Sequence, residues 1–336
     1  MKLRKLGVGI LALASMAMTT SASTLAASSA CDRACLEGFV DRFLDAMIAH
    51  DPSRAPLAKN VKFTENGQHL DLGDGMWRTL SAKGEFRLIV ADEPSGHVAF
   101  LGSILEDGIP AMLALHLKVA KQKIAAAEML VQRNEKAAQG FDKIGYRWTE
   151  AAPANERMSH DDLVRVANMY FSGLENNDGK GVYPFTDDCN RIENGVFTTN
   201  TAPAEGQTRP DPKTSDRYSA NWGCREQFES GLIHFVTRIR DRRFVAVDVE
   251  RGIAFAFGFF DHAAGATRTF QTPSGRTVTA GPRQPWTWHI AEAFQIRGGK
   301  IHQIQAIMER VPYGMLSGWS TREQGMSSEA RDVTKH

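Results

Sequence analysis

The sequence has no excess of either charge: 40 Lys and Arg stand against 39 Asp and Glu, a formal net charge of +1. That balance leaves no electrostatic footprint for nucleic acid or for an anionic membrane surface. There is no Gly-x-Gly-x-x-Gly after a strand pattern, no phosphate-binding loop, no Gly-x-Ser-x-Gly elbow and no metalloprotease histidine pair. Nucleotide-dependent, serine-hydrolase and zinc-protease chemistries therefore have no sequence support, and neither a cofactor nor a metal is expected. Beyond the first 30 residues no window is apolar enough to span a bilayer, which takes about 20 consecutive residues.

The chain starts with the basic Met1-Lys2-Leu3-Arg4-Lys5, followed by an apolar run from Leu6 to Met18 and small residues through Ala30. This order predicts a signal peptide over 1–26, and with it a secreted or periplasmic protein. Cys31 directly after Ala30 leaves a lipoprotein alternative, although Ser28 stands where a lipobox needs leucine. Cysteines number only four, and in an exported chain they favour disulfides. Cys31 and Cys35 are one helical turn apart, which leaves Cys189 for Cys224. Zinc is the competing reading, without a Cys-x-x-Cys or His-x-x-x-His spacing in its favour.

What the sequence does contain is an internal repeat. Leu36–Asp51 and Leu163–Asp178 both read as amphipathic helices, through Phe39, Phe43 and Met47 in one and Val166, Tyr170 and Leu174 in the other. Each is followed by the same tripeptide, Glu65-Asn66-Gly67 and Glu193-Asn194-Gly195. Asp92-x-x-x-Gly96 and Asp248-x-x-x-Gly252 then introduce strands, and the final hairpins align from Ala111 and from Trp288. The second copy carries two loop insertions, about 197–221 and 262–285. Residues 145–158 read as a linker ending at a helix N-cap on Ser159, and 320–336 as a flexible tail.

Helices placed ahead of runs of antiparallel strands give an α+β class. The segment from Ala291 to Ile301, an alternating strand turning at Arg297-Gly298-Gly299-Lys300, resembles the C-terminal hairpin of SnoaL-like domains of the nuclear transport factor 2-like superfamily. That resemblance implies two tandem cone-shaped domains, 31–144 and 159–319, each a strongly curved antiparallel sheet closed by helices around an apolar pocket. It also implies cofactor-independent chemistry on a small organic molecule, and a monomer in which the two cones replace a dimer contact.

Paired positions in the repeat serve as an internal control. Along the penultimate strand one face reads Ala111, Leu113, Leu115, Leu117, Val119 in the first copy and Trp288, Ile290, Glu292, Phe294, Ile296 in the second. A carboxyl in place of Leu115 is expensive to bury unless it stays protonated, as a general acid does. Glu292 and His289 are thus candidate proton-transfer groups, with Asp261 and His262 assisting. Adjacent strand residues point to opposite faces, so Asp261 with His262, or His289 with Glu292, share a pocket only if a strand ends or bulges. Arg191, Glu193, Asn194, Trp222, Trp288 and Tyr170 are the candidate substrate-binding residues. The reading is an exported lyase or isomerase, with a non-catalytic binding protein as the alternative in which Glu292 pairs across a domain seam and Glu-Asn-Gly is only a turn.

Overall fold

The structure, a computed structural model, describes residues 31–144 and 148–335. The expected signal peptide lies outside them, as does the start of the expected linker. Helix α1 (Arg33–Ile48) is capped by the Asp32 side chain, which accepts from the Cys35 amide, and buries Leu36, Phe39, Val40, Phe43, Leu44 and Met47. Strands β1 (Leu57–Glu65), β2 (Gln68–His69), β3 (Leu80–Asp92), β4 (His97–Glu106), β5 (Ile109–Ala120) and β6 (Lys123–Gln132) follow. A short helix α2 (Glu135–Phe141), not expected from the sequence, comes next. Helix α3 (His160–Glu175) is capped by Ser159 as expected, and buries Leu163, Val166, Ala167, Tyr170, Phe171 and Leu174, the stripe of an amphipathic helix. The remaining strands are β7 (Phe185–Glu193), β8 (Val196–Phe197), β9 (Arg238–Asp248), β10 (Ile253–His262), β11 (Thr269–Gln271), β12 (Thr277–Thr279), β13 (Trp286–Arg297), β14 (Lys300–Val311) and β15 (Ala330–Asp332), with helices α4 (Cys224–Glu229) and α5 (Arg322–Gly325).

The architecture is mixed α+β, with large curved sheets and few helices. One sheet runs β2-β1-β6-β5-β4-β3; a second runs β15-β9-β10-β13-β14-β7-β8, and β11 with β12 forms a separate hairpin inside the second insertion. Apart from β15, the second sheet repeats the strand order of the first, including a parallel pairing of its first long strand with its last, β1 with β6 and β7 with β14. Each sheet buries one face against its own long helix, giving two separate apolar clusters. A third cluster joins the opposite faces, with Leu101, Ala114 and Leu130 of the first sheet in the same core as Phe255, Phe257 and Ile307 of the second. Strands buried on both faces, such as β10, are therefore apolar almost throughout.

The seam between the sheets also holds charge. Arg243 on β9 makes a two-pronged ion pair with Glu128 on β6, both contacts at 2.7 Å, and both side chains are buried. Beside it the rings of His97 and His116 stack, with Nδ1 of the first 2.8 Å from Nε2 of the second. At one end of the seam the two turn aspartates are bound crosswise. Asp248 of the second sheet takes Arg33, the first residue of α1, and Asp92 of the first sheet takes His160, the first residue of α3, at 3.1 Å.

The last segment departs from expectation. Residues 320–335 are built into the fold rather than frayed: β15 pairs with β9, and Arg331, Ser320 and Ser317 all bind the buried Asp241 carboxyl. A buried aspartate without such partners would be costly, which is the physical reason for the order there. Within the expected linker, Trp148 and Ala152 are buried, and the Ala152 amide bonds the Glu250 carbonyl.

Both disulfides expected from the spacing are present, Cys31–Cys35 and Cys189–Cys224. The second joins β7 to α4 across 35 residues and so tethers the first insertion. Replacing Cys189 and Cys224 together by alanine should lower unfolding free energy by about 2–4 kcal/mol, as loop closure predicts. Urea unfolding of both proteins measures this, and equal midpoints would refute it. Among the described residues no helix is long and apolar enough to cross a membrane.

Candidate functional site

Cross-strand rungs of the two sheets place equivalent residues of the repeat side by side. On the α1 side of the first sheet, Phe100 pairs with Leu115, Leu115 with Met129, and Met129 with Glu65. The matching rung of the second sheet runs Ala256, Glu292, Ala306, Glu193. Three bulky apolar side chains have become two alanines flanking a carboxyl. The two glutamates lie on strands two apart, with Ala306 of β14 between them.

Four other side chains converge on this rung. Tyr170 is presented by α3 and Arg191 by β7; Tyr218 and Gln227 come from the first insertion and the helix that follows it. Arg191 is buried and uses its whole guanidinium: Nη1 donates to the Tyr170 hydroxyl at 3.3 Å, Nη2 to Gln227 Oε1 at 2.7 Å and to the Tyr218 hydroxyl, and Nε to Thr198 Oγ1 at 3.1 Å. The same Nε lies 3.2 Å from Glu193, whose side chain is 22% exposed. Glu292 is buried, with one carboxyl oxygen lacking any hydrogen bond. Burial pushes its carboxyl well above the usual range and the Glu193 charge adds to this, while Arg191 and the Tyr170 hydroxyl oppose it. Burial likewise raises the Tyr170 phenol. The cluster is thus a buried carboxyl held above its usual range against a phenol, next to an arginine and a second carboxyl that reaches solvent.

Not every expected residue joins it. The β10–β13 register is continuous from Ile253 to His262, without a bulge between His289 and Glu292. His289 therefore lies on the seam face, stacked on Phe259 with both ring nitrogens unbonded, and burial holds it down to about 3. It cannot act with Glu292. Asp261 and His262 both remain in β10 and face opposite ways. Asp261 is locked by Arg240 at 2.9 Å, Arg238 at 2.6 Å and the Thr287 hydroxyl at 2.6 Å. Burial would raise its carboxyl, but these partners win and hold it below the usual range. His262 is stacked on Trp286 and lowered by burial to about 4. These three lie away from the rung, and of the expected catalytic set only Glu292 is placed on it.

Of the expected binding residues, Tyr170, Arg191 and Glu193 come together, whereas Asn194 and Trp222 have structural duties. Asn194 has φ 48° and its amide exchanges hydrogen bonds with Met308 at 2.8 and 3.0 Å; Asn66, also at 48°, does the same with Val131. Glu-Asn-Gly is thus a turn that pins the parallel strand pair. In the first copy Glu65 is held by the Met76 amide and Arg133. Trp222 is buried in a satellite cluster with Leu232, Phe270 and Val278, its indole donating to the Pro210 carbonyl. Trp288 lies on the Glu292 face, edge-on to Trp286 at 4.6 Å. Sequence reasoning missed Tyr218 and Gln227, because only folding brings the insertion over the sheet.

The family described as Domain of unknown function (DUF8021) has a model that matches residues 156–308, which includes α3, β7, the insertion and Glu292. No curated protein matches. Among solved structures, the chain is similar to a de novo designed protein with a curved β-sheet, at 14% identity and TM-score 0.26, covering 32% of this chain and 94% of that one. It is also similar to AclR from Streptomyces galilaeus, at 12% identity and TM-score 0.27, covering 46% and 83%.

Proposed function

We propose that the protein is an exported pair of tandem SnoaL-like domains, 31–144 and 159–319, whose second domain is a cofactor-independent lyase or isomerase working by proton transfer at Glu292. The observation that carries this reading is the rung Ala256-Glu292-Ala306-Glu193 against Phe100-Leu115-Met129-Glu65. A fold that has a well-filled version of the same rung has, in its second copy, given up side-chain volume and accepted a buried carboxyl. Such exchanges are characteristic of sites where function competes with stability. Glu292 is the proton carrier, Tyr170 fixes its orientation, and the Arg191–Glu193 pair connects the buried end to solvent. The substrate this suits is a small, mostly apolar molecule with one oxygen that accepts a hydrogen bond.

A specific observation favours the second reading, a non-catalytic scaffold. Phe171, Phe185, Phe228 and Phe294 fill much of the space between α3 and the sheet, and all three Arg191 nitrogens are already engaged by protein groups. Solvent deuterium separates the two. Incubating the protein with a small-molecule extract in heavy water should label at least one compound on carbon, as judged by mass spectrometry. Glu292→Gln should lower that labelling by about two orders of magnitude, the usual contribution of a general acid. Glu292→Leu, which restores the residue of the first copy, should abolish labelling while raising the melting temperature. Identical label patterns with and without the wild-type protein would leave the scaffold.

A further inference from the structure

We infer that His160, Asp161 and Asp332 form a binding site for a divalent transition-metal ion, zinc in the first instance. The site is separate from the Glu292 rung and independent of its function. His160 and Asp161 open α3, and Asp332 closes β15, so the group exists only because the C-terminal strand adds to the second sheet. One ligand atom from each lies within 4.8 Å of the other two. His160 Nδ1 is 3.4 Å from Asp332 Oδ2 and 3.6 Å from Asp161 Oδ1. Ligands about 2.1 Å from a tetrahedral zinc stand roughly 3.4 Å apart. The two separations from Nδ1 therefore match edges of a zinc tetrahedron, and the third ligand pair lies within 4.8 Å.

The other ring nitrogen gives an independent reason. His160 Nε2 is 3.1 Å from the Asp92 carboxyl, which is itself buried, and 3.1 Å from the Thr334 hydroxyl. A carboxylate behind an imidazole sets its tautomer and strengthens it as a ligand. With the ring proton directed at Asp92, Nδ1 turns its lone pair on two further carboxyl groups. Nδ1 and Asp332 Oδ2 are buried atoms that make no hydrogen bond. An unprotonated Nδ1 facing two carboxyl groups is satisfied by a cation between them. Lys335 partly meets the need, 2.6 Å from Asp161 and 3.7 Å from Asp332, but it approaches from the rim and is half exposed. One imidazole with two carboxylates is a borderline donor set that suits zinc, whereas calcium takes oxygen ligands throughout. His160 and Asp161 also border a cleft of about 680 Å³ with Arg33 and Arg157 on its wall, so a bound ion would sit beside open space.

Calorimetric titration of the chelator-treated protein with zinc chloride tests this. One zinc ion per chain should bind with micromolar or tighter affinity and raise the melting temperature. His160→Ala and Asp332→Asn should each weaken binding at least tenfold, and Asp92→Asn by 10- to 100-fold, the usual cost of losing a supporting partner. Lys335→Met, a change at an exposed position, should tighten it. Absence of binding, unchanged affinity in both His160→Ala and Lys335→Met, or equal affinity for calcium would each overturn the assignment. Loss of fold in His160→Ala leaves the lysine variant to decide.

Discussion

Replacing Arg243 by alanine should destabilise the protein by about 3–5 kcal/mol, measured as the loss of unfolding free energy in urea. The reason lies in the seam. Arg243 and Glu128 are each almost wholly buried, and each carboxyl oxygen accepts one guanidinium nitrogen at 2.7 Å. Removing the arginine leaves a carboxyl in an apolar core with no cation opposite. The truncation is further aggravated by Asp241, whose buried carboxyl also lies near Arg243, at 3.4 Å. The same logic predicts that Glu128→Leu with Arg243→Met recovers most of the loss, because a buried ion pair contributes little beyond its own desolvation. A single-variant cost below about 1 kcal/mol would show that the seam admits water.

Acid should unfold the protein early. His97 and His289 are held down to about 3 and His262 to about 4, while His116 is lowered well below its usual value, all mainly by burial. In the unfolded chain these rings titrate near pH 6.5. Between that pH and the folded values the unfolded state binds more protons, so stability present above pH 6.5 is lost as pH falls. Each ring contributes up to about 1.4 kcal/mol per pH unit. The carboxyl groups of Glu128 and Glu292, raised by burial, act in the opposite sense: as pH falls towards about 4.5 they regain stability. Four rings against two carboxyls leave about two net protons, a loss of roughly 5 kcal/mol between pH 6.5 and 4.5. Below 4.5 the carboxyls cease to compensate, and the slope should steepen. Urea midpoints across this range measure it, and His289→Phe, which keeps the stack on Phe259, should flatten the slope by about one proton equivalent. A flat profile from pH 6.5 to 4.5 would mean that the seam histidines are hydrated.

Much of this fold could be read in the sequence, for identifiable reasons. Helices α1 and α3 carry one clean apolar stripe each, Ser159 is a strong cap, and repeated Asp-x-x-x-Gly turns set the hairpins. The repeat also pointed to Glu292, because Leu115 gives a reference for what the position holds when it is merely core. What the sequence hid lies mainly at the seam. A strand buried on both faces shows no alternation, so nothing in β10 says which side meets its own helix and which meets the other sheet. Glu128 and Arg243 are 115 residues apart and each looks like an ordinary surface charge until the sheets pack. Residues 320–335 read as a polar tail because the partners of Ser320 and Arg331 are supplied by a buried aspartate on β9. Strand parity, by contrast, was a correct warning: it separates His289 from Glu292 and Asp261 from His262, and no bulge intervenes.

The crosswise binding of Asp92 by His160 and of Asp248 by Arg33 has a consequence for biosynthesis. A ribosome releases the leading sheet complete before α3 exists, so Asp92 and Glu128 must wait, each without its partner, until the trailing half arrives. Until then the leading half has a native-like interior on its helix side and an unfinished, acid-bearing back. Its stability during that interval is borrowed from a partner not yet made, so any pause in translation before residue 160 leaves that back open to aggregation.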